Sequence, residues 1–184
     1  MDSDEHLLAR FLKGEDGAFE ALVTRYEARL RNLAFGLLRD RALAEDVAQD
    51  AFLQAYRKAA SFKGQGTFRG WLYRIAINRA QDELRRRKRK REVSWDDVGG
   101  PEDTVRQGVA SVEDVAARRE LDRQLARALA AMRKEHRTPL VMREVEGMTY
   151  QEISRVLGWP LGTVQTRIHR ARLELRSQLK KWSR

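Results

Sequence analysis

The stretch from Thr149 to Leu175 reads TYQEISRVLGWPLGTVQTRIHRARLEL and has the pattern of two helices joined by a tight turn. Thr149 and Glu152 have the spacing of a capping box, in which two side chains satisfy the first N–H groups of a helix. We expect this helix to end at Gly158, and Thr163 is placed to cap the helix that follows. A helix, a glycine-bearing turn and a second helix form the helix-turn-helix pattern.

The second helix of this pattern has an apolar stripe and a polar face. At 100° per residue the apolar stripe, which must be buried, is Val164, Ile168, Ala171 and Leu175. The opposite face, called the recognition face below, is Gln165, Thr166, His169 and Arg170. Gln can pair with adenine and Arg with guanine in a major groove, so this face suits duplex DNA. Arg167 and Arg172 add positive charge to the same helix.

An ordinary helical hairpin with a solvated polar face is the alternative to DNA binding. The capping box, the turn and the basic, acid-poor second helix favour DNA binding. His169 has no neighbouring His, Cys or carboxylate trio, so we expect no metal site there.

The remainder of the chain is also helical in pattern. Apolar residues recur at intervals of three and four in residues 19–38, 43–60 and 121–132, the period of a helix that buries one face. Alternating strand patterns are absent, and the 184 residues include only three prolines. We therefore predict an all-α fold.

The charge of the chain is positive and unevenly distributed. The net charge of +10 predicts an anionic partner, most often nucleic acid, with an acidic membrane surface as the second choice. Trp71–Arg91 has nine basic and two acidic residues, a net +7, and Tyr150–Arg184 has eight and two, a net +6. Glu92–Asp122, between them, has three basic and nine acidic residues, a net −6.

This distribution predicts two basic helical domains joined by a flexible acidic linker. We place the first domain at 1–92, the linker at 93–117 and the second domain at 118–184. An acidic loop within a single domain is the alternative.

Several classes of protein are disfavoured by what the sequence lacks. There is no cysteine, which excludes disulfides and thiolate metal sites. No run of 18 apolar residues occurs, and Met1–Lys13 has acids where a signal peptide would have bases. No clustered nucleophile and base or phosphate loop occurs, so we expect no catalysis and no cofactor. We predict a soluble protein of the cytoplasm without membrane insertion; the basic run has no apolar face for a membrane surface.

The stretch from Trp71 to Arg91, WLYRIAINRAQDELRRRKRKR, begins as an amphipathic helix and ends in seven basic residues. Its apolar arc is Leu72, Tyr73, Ala76, Ile77, Ala80 and Leu84. Trp71, Arg74 and Asn78 are expected to lie along an exposed ridge on the other side. The preceding glycine-rich loop, Ser61–Gly70, contributes Phe62, Lys63, Gln65, Phe68 and Arg69. Aromatic, amide and cationic groups in this mixture suit unstacked bases. Packing of Trp71 against a neighbouring helix is the alternative.

Three segments together resemble the extracytoplasmic-function group of bacterial RNA polymerase sigma factors. They are DRALAEDVAQDAFLQAYRKAASF from Asp40, FRGWLYRIAINRAQDELRRRKR from Phe68, and the helix-turn-helix stretch that opens this section. The resemblance extends from Ala18 to Leu179 in the order and spacing of that family. It implies that the first domain is sigma region 2, which docks on the polymerase and helps to melt the −10 element. The second domain would be region 4, which reads the −35 element as duplex.

The resemblance also implies partners and site residues. The partners would be bacterial core RNA polymerase, promoter DNA in duplex and single-stranded form, and an anti-sigma factor. The polymerase-contact positions of the family fall on Asp46, Gln49 and Asp50, and the helical wheel adds Leu53 and Tyr56 to the same side. The −10 positions fall on Phe62–Arg69, Trp71 and Asn78, and the −35 positions on the recognition face. The alternative function is a stand-alone helix-turn-helix regulator, for which the 61–78 stretch would be unnecessary.

Overall fold

The computed structural model describes residues 2–64, 66–93 and 112–182. The described residues form eight α-helices and one short 3₁₀ turn, and none of them lies in a strand. The predicted all-α class is confirmed. The helices are α1 (Asp4–Phe11), α2 (Asp16–Leu38), α3 (Arg41–Lys58), α4 (Phe68–Val93), α5 (Val112–Ala131), α6 (Lys134–Glu144), α7 (Tyr150–Leu157) and α8 (Leu161–Trp182), with the 3₁₀ turn at Ala59–Ser61.

Helices α1 to α4 form the first module. Helix α2 supplies large core side chains, of which Leu22, Leu30 and Leu33 are fully buried. Helix α3 faces them with small residues, Ala44, Ala48, Ala51 and Ala55, so that α2 and α4 can both approach it closely. Five of the six residues predicted for the apolar arc of α4 are buried, namely Leu72, Tyr73, Ala76, Ile77 and Ala80, and the sixth, Leu84, is partly buried.

Asp40 joins the start of α3 to the basic end of α4. Its carboxylate accepts a hydrogen bond from the Leu43 N–H at 3.0 Å, which makes it the N-cap of α3. The Arg87 guanidinium donates to the same carboxylate at 2.7 Å. Burial raises the pKa of Asp40, but the hydrogen bonds from Leu43 and Arg87 outweigh it and hold the pKa below its ordinary value.

Helices α5 to α8 form the second module. The predicted capping box is confirmed, since the Glu152 N–H donates to the Thr149 hydroxyl at 3.2 Å and the Thr149 N–H donates to the Glu152 carboxylate at 2.7 Å. The hydrogen bond from the Thr149 N–H is the main cause of the lowered pKa of Glu152. Helix α7 ends at Gly158, whose φ of +68° is a conformation that glycine adopts without strain.

The start of α8 differs from the prediction. Thr163 was expected to cap this helix, but α8 begins at Leu161, so Thr163 lies inside its first turn. The physical reason is that the Pro160 carbonyl accepts the hydrogen bond of the Val164 N–H at 3.1 Å. The backbone is therefore already helical when it reaches Thr163.

The predicted linker, 93–117, falls mainly on residues 94–111, which lie outside the described residues. Its last part differs from the prediction, because α5 begins at Val112. The domain bounds themselves stay predictions.

The two modules pack against each other along two lines of contact. Helix α4 contacts α7, and α2 contacts α5 and α6. Gly36 of α2 lies against Val141 of α6, where a Cβ added to the glycine would lie 2.7 Å from a Val141 methyl carbon. Glycine at position 36 is therefore required for this spacing between the modules.

Candidate nucleic-acid and protein interfaces

The recognition face lies on the solvent side of α8. Val164, Ile168 and Ala171 of the predicted stripe are fully buried and Leu175 is partly buried, which fixes the rotation of the helix. All four residues of the opposite side are exposed: Gln165, Thr166, His169 and Arg170. The Thr166 hydroxyl donates to the Gly162 carbonyl at 2.8 Å and keeps its lone pairs for an incoming donor.

The two further arginines of α8 have intramolecular partners. The Arg167 guanidinium lies 4.1 Å from the centre of the Trp159 ring, a cation–π contact that joins the turn to the helix. Arg172 forms an ion pair with Glu144 of α6 at 2.7 Å, and its hydrogen bond to that carboxylate raises its pKa. A contact of either side chain with DNA would have to replace or share these partners, whereas Arg170 points to solvent.

The aromatic residues before and within α4 form a cluster. Phe68 is fully buried, with its ring centre 6.2 Å from that of Phe62 and 5.9 Å from that of Trp71. Phe68 was predicted to contact DNA directly, but its burial prevents this. Its ring packs against Trp71 instead. The helical wheel missed this because it began at Trp71, after the residue that starts α4.

Trp71 itself is half-buried. Its ring centre lies 5.5 Å from that of Phe62. The predicted exposed ridge of Trp71, Arg74 and Asn78 is therefore only partly present, since one side of the indole packs against the cluster. Asn78 and Lys63 are exposed. Gln65, also predicted to contact the −10 element, lies outside the described residues.

Arg69 and Arg74 are both bonded to the second module. Arg74 donates to the carbonyls of Val156 at 2.9 Å and Arg155 at 2.5 Å. Arg69 donates to the Glu146 carbonyl at 2.9 Å. Neither contact was predicted, because the partners lie 77 to 82 residues away in sequence.

Tyr73 is the third residue of α4 that is bonded to the second module. Its side chain is fully buried, and its hydroxyl donates to the Glu146 carboxylate. Burial raises the pKa of Glu146, and burial together with this hydrogen bond raises the pKa of Tyr73. Tyr73 was predicted to lie in the apolar arc, and its ring does. The hydrogen bond of its hydroxyl was not predicted.

The predicted docking side of α3 is open to solvent. Asp46 and Gln49 are exposed, and two large apolar side chains accompany them: Leu53 is 53% exposed and Tyr56 48% exposed. Asp50 is half-buried and forms an ion pair with Arg79 of α4. Exposed apolar groups beside acids are typical of a protein–protein contact.

Helix α2 forms the other wall of this docking face. A groove of about 410 Å³ runs between α2 and α3, lined by Phe19, Val23, Glu27, Arg31, Glu45, Ala48, Gln49, Phe52, Leu53 and Tyr56. The sequence analysis missed the four residues from α2. Their spacing of four places them on one stripe of the helix, a signal that we used only to predict the core.

Two further properties concern the described residues alone. None of their helices is both long enough and apolar enough to cross a membrane. Their His, Asp and Glu side chains form no group of three that could hold a metal ion.

Comparison with known proteins identifies both modules. Residues 22–90 match the family model for sigma-70 region 2, and residues 122–175 match that for sigma-70 region 4. The chain is 36% identical over 176 residues to the RNA polymerase sigma-H factor of Pseudomonas aeruginosa, which covers 94% of this chain and 91% of that protein. It is 33% identical over 174 residues to the ECF RNA polymerase sigma-E factor of Escherichia coli K12, covering 92% and 91%.

Solved structures show the same fold. CnrH, determined in complex with the cytosolic domain of CnrY, has a TM-score of 0.74 and 29% identity, covering 98% of this chain and 99% of that one. The sigma factor RpoE of Bartonella quintana, in complex with the anti-sigma factor NepR, has a TM-score of 0.69 and 24% identity over 88% and 96% of the two chains.

The chain belongs to the extracytoplasmic-function group of the sigma-70 family. It is an alternative sigma factor, a transcription initiation factor that directs promoter-specific transcription. The stand-alone regulator is disfavoured, because the first module matches region 2 and not a dimerisation domain.

Proposed function

We propose that this sigma factor uses three separate surfaces to bind its partners. The docking face between α2 and α3 binds core RNA polymerase, the recognition face of α8 reads the −35 duplex, and the 62–78 stretch binds the opened −10 strand. The observation that carries the proposal is that one chain has both an exposed polar face on α8 and, on α4, a supported aromatic ring two turns from an exposed amide. The protein would work in the cytoplasm and have no catalytic site of its own.

The docking face is suited to a helical partner with basic and apolar side chains. Its groove offers Leu53 and Tyr56 as exposed apolar contacts and is lined by the acids Glu27 and Glu45. Asp46 is exposed on the same helix as Leu53. Phosphate would be repelled by these acids, so a protein partner fits better than nucleic acid. Asp50 would contribute less directly, because Arg79 already neutralises it.

We predict that Leu53→Ala and Asp46→Lys each weaken binding to purified core polymerase, by about 5- to 30-fold for Leu53→Ala. Both side chains are exposed, so circular dichroism should be unchanged. Asp122→Lys is the matched control, because Asp122 is an exposed aspartate of the second module. Unchanged affinity in both docking variants would remove α3 from the docking surface.

The recognition face depends on its exposed hydrogen-bonding groups. Arg170 can form a bidentate pair with guanine, and Gln165 with adenine. Arg172 is held by Glu144 at the side of α8, a position that suits a phosphate contact.

Arg170→Ala should therefore cost about 1–3 kcal/mol at one base pair and relax specificity there. Arg172→Ala, the matched control, should weaken binding to all sequences alike. Competition binding on single-base variants of a −35 duplex measures both. An equal loss on every variant for Arg170→Ala would exclude it from base reading.

The opened strand would be held by stacking and hydrogen bonding. The Trp71 ring is supported by Phe62 and Phe68, so it can present its other side to a base without rearranging. Asn78, two turns further along α4, offers both a donor and an acceptor. Stacking of a base on an aromatic ring contributes about 1–3 kcal/mol, enough to bias local opening.

We predict that Trp71→Ala and Asn78→Ala impair transcription from duplex promoters more than they impair duplex binding. A template mismatched across −10 should rescue Trp71→Ala, because its strands are already open, but should rescue Asn78→Ala less. Trp71→Phe keeps a ring packed against Phe62. Comparing it with Trp71→Ala separates the loss of stacking on a base from the loss of packing inside the protein. Thermal unfolding measures any loss of stability.

Duplex-promoter transcription at the parental level in folded Trp71→Ala and Asn78→Ala variants would contradict this assignment. The −10 role of the 62–78 stretch would then be lost, while the other two surfaces would be unaffected.

We also propose an anti-sigma factor as a regulatory partner. CnrH, a relative by fold and by 29% identity, was determined with the cytosolic domain of another protein bound. On this chain the exposed apolar groove between α2 and α3 is the surface best suited to such a protein.

A further inference from the structure

Helix α1 lies before the segment that matches region 2, which begins at residue 22, and no role was predicted for it. Its side chains Leu7 and Leu8 are buried, and the helix contacts both α2 and α4. Ser3 caps its start by accepting a hydrogen bond from the His6 N–H at 3.1 Å. Helix α1 is therefore a fixed part of the first module.

The first turn of α4 is capped by two different side chains. The Thr67 hydroxyl accepts a hydrogen bond from the Gly70 N–H at 3.1 Å, as an N-cap residue does. The Glu5 carboxylate accepts one from the Phe68 N–H at 3.4 Å, although the two residues are 63 positions apart in sequence. The first N–H groups of a helix have no partner within it, and a negative charge is favoured beside them. Glu5 therefore stabilises the start of α4 from a different helix.

Asp4, the neighbour of Glu5, anchors α1 to α2. Its side chain is 14% exposed and accepts hydrogen bonds from the Arg25 guanidinium, at 2.5 Å, and from the Tyr26 hydroxyl. Burial and the hydrogen bond to Asp4 raise the pKa of Tyr26, so its hydroxyl stays protonated and donates. The Tyr26 ring centre lies 6.2 Å from that of Phe68. The first turn of α1 is thus connected to both the backbone and the ring of the residue that begins α4.

Trp71 depends on the first turn of α4 for its position. Its N–H donates to the Thr67 carbonyl at 3.1 Å, a hydrogen bond that closes this turn. Helix ends fray, so a turn that lacks one of its caps opens more often. Opening would move the indole away from Phe62 and Phe68, whereas Asn78, two turns further along α4, would stay in place.

We propose that Glu5 is a positioning residue for the opened-strand site: by capping the first turn of α4, it holds Trp71 on its aromatic support. The proposal rests on the proposed function, because it uses Trp71 as the group that stacks on a base. Glu5 does not itself contact the strand, since its carboxylate would repel phosphate. Its effect on transcription should therefore depend on the presence of the Trp71 indole.

Amide hydrogen exchange, measured by NMR, tests the cap without DNA or polymerase. In Glu5→Ala the Phe68 amide should exchange about threefold to tenfold faster, as expected for the loss of a helix cap. Glu5→Gln keeps an oxygen that can accept the hydrogen bond and should stay within about twofold of the parent. His6→Ala is the matched control, because His6 is exposed in the same turn of α1. The amide of Ile77, in the buried middle of α4, should keep the parental rate in all three variants.

Run-off transcription with purified core polymerase tests the connection to Trp71. Glu5→Ala should lower transcription from a duplex promoter by about threefold, and a template mismatched across −10 should restore it to within about twofold of the parent. In a Trp71→Ala background, Glu5→Ala should have no further effect, because the group that it positions is absent. The affinities for core polymerase and for a −35 duplex should be unchanged, since both proposed surfaces lie elsewhere.

Each contrary outcome has a distinct meaning. An unchanged Phe68 exchange rate in Glu5→Ala, or equal acceleration at Phe68 and Ile77, would overturn the proposal, because Glu5 would not act on the first turn alone. A loss of transcription that persists on the mismatched template, or that adds to the loss from Trp71→Ala, would also overturn it. Parental transcription by Trp71→Ala would refute the proposed function, and the positioning role with it, even if the exchange of Phe68 shows that Glu5 caps α4.

Discussion

The rest of the molecule depends on the orientation of helix α4, because one side of this helix packs in the core and the other side lies at the surface. Its buried side, which includes Leu72 and Ile77, completes the core of the first module. Its other side places Arg74 and Asn78 at the surface. A rotation of α4 that improved the packing of its buried side would move Arg74 and Asn78 from their positions at the surface. Core packing therefore sets the orientation of the proposed strand-binding residues of α4.

The ion pairs of α4 connect it to α3 but contribute little to the stability of the fold. Arg79 pairs with Asp50, and Arg87 with Asp40, so two arginines of α4 are held by acids at or near the docking face. Partly exposed ion pairs contribute little free energy, about 0–1 kcal/mol each. The two pairs join the proposed docking helix and the proposed strand-binding helix at two points along α4. Polymerase contact at α3 would thereby orient α4 with respect to DNA.

Local patterns predicted the secondary structure well and the tertiary contacts poorly. The capping box at Thr149 and the buried stripe at Ile168 follow from spacing alone, because both involve neighbours on one helix. Thr163 was wrongly predicted to cap α8, because the helix begins with a hydrogen bond to the backbone carbonyl of Pro160. Every residue has a backbone carbonyl, so the residue types do not indicate this start. Phe68 was assigned to DNA because it was interpreted as part of the glycine-rich loop, whereas it is the first residue of α4. The bonds from Arg74 to α7 join residues more than 80 positions apart, beyond any periodicity argument.

As a sigma factor, this chain is expected to work with core polymerase and not to act on DNA alone. Run-off transcription with purified bacterial core polymerase tests it most directly, on candidate promoters with and without the chain. We predict a discrete transcript that requires the chain and is lost when either the −35 or the −10 element is scrambled. Binding of the chain to duplex DNA without any chain-dependent transcript would be the opposite result and would favour a stand-alone helix-turn-helix regulator.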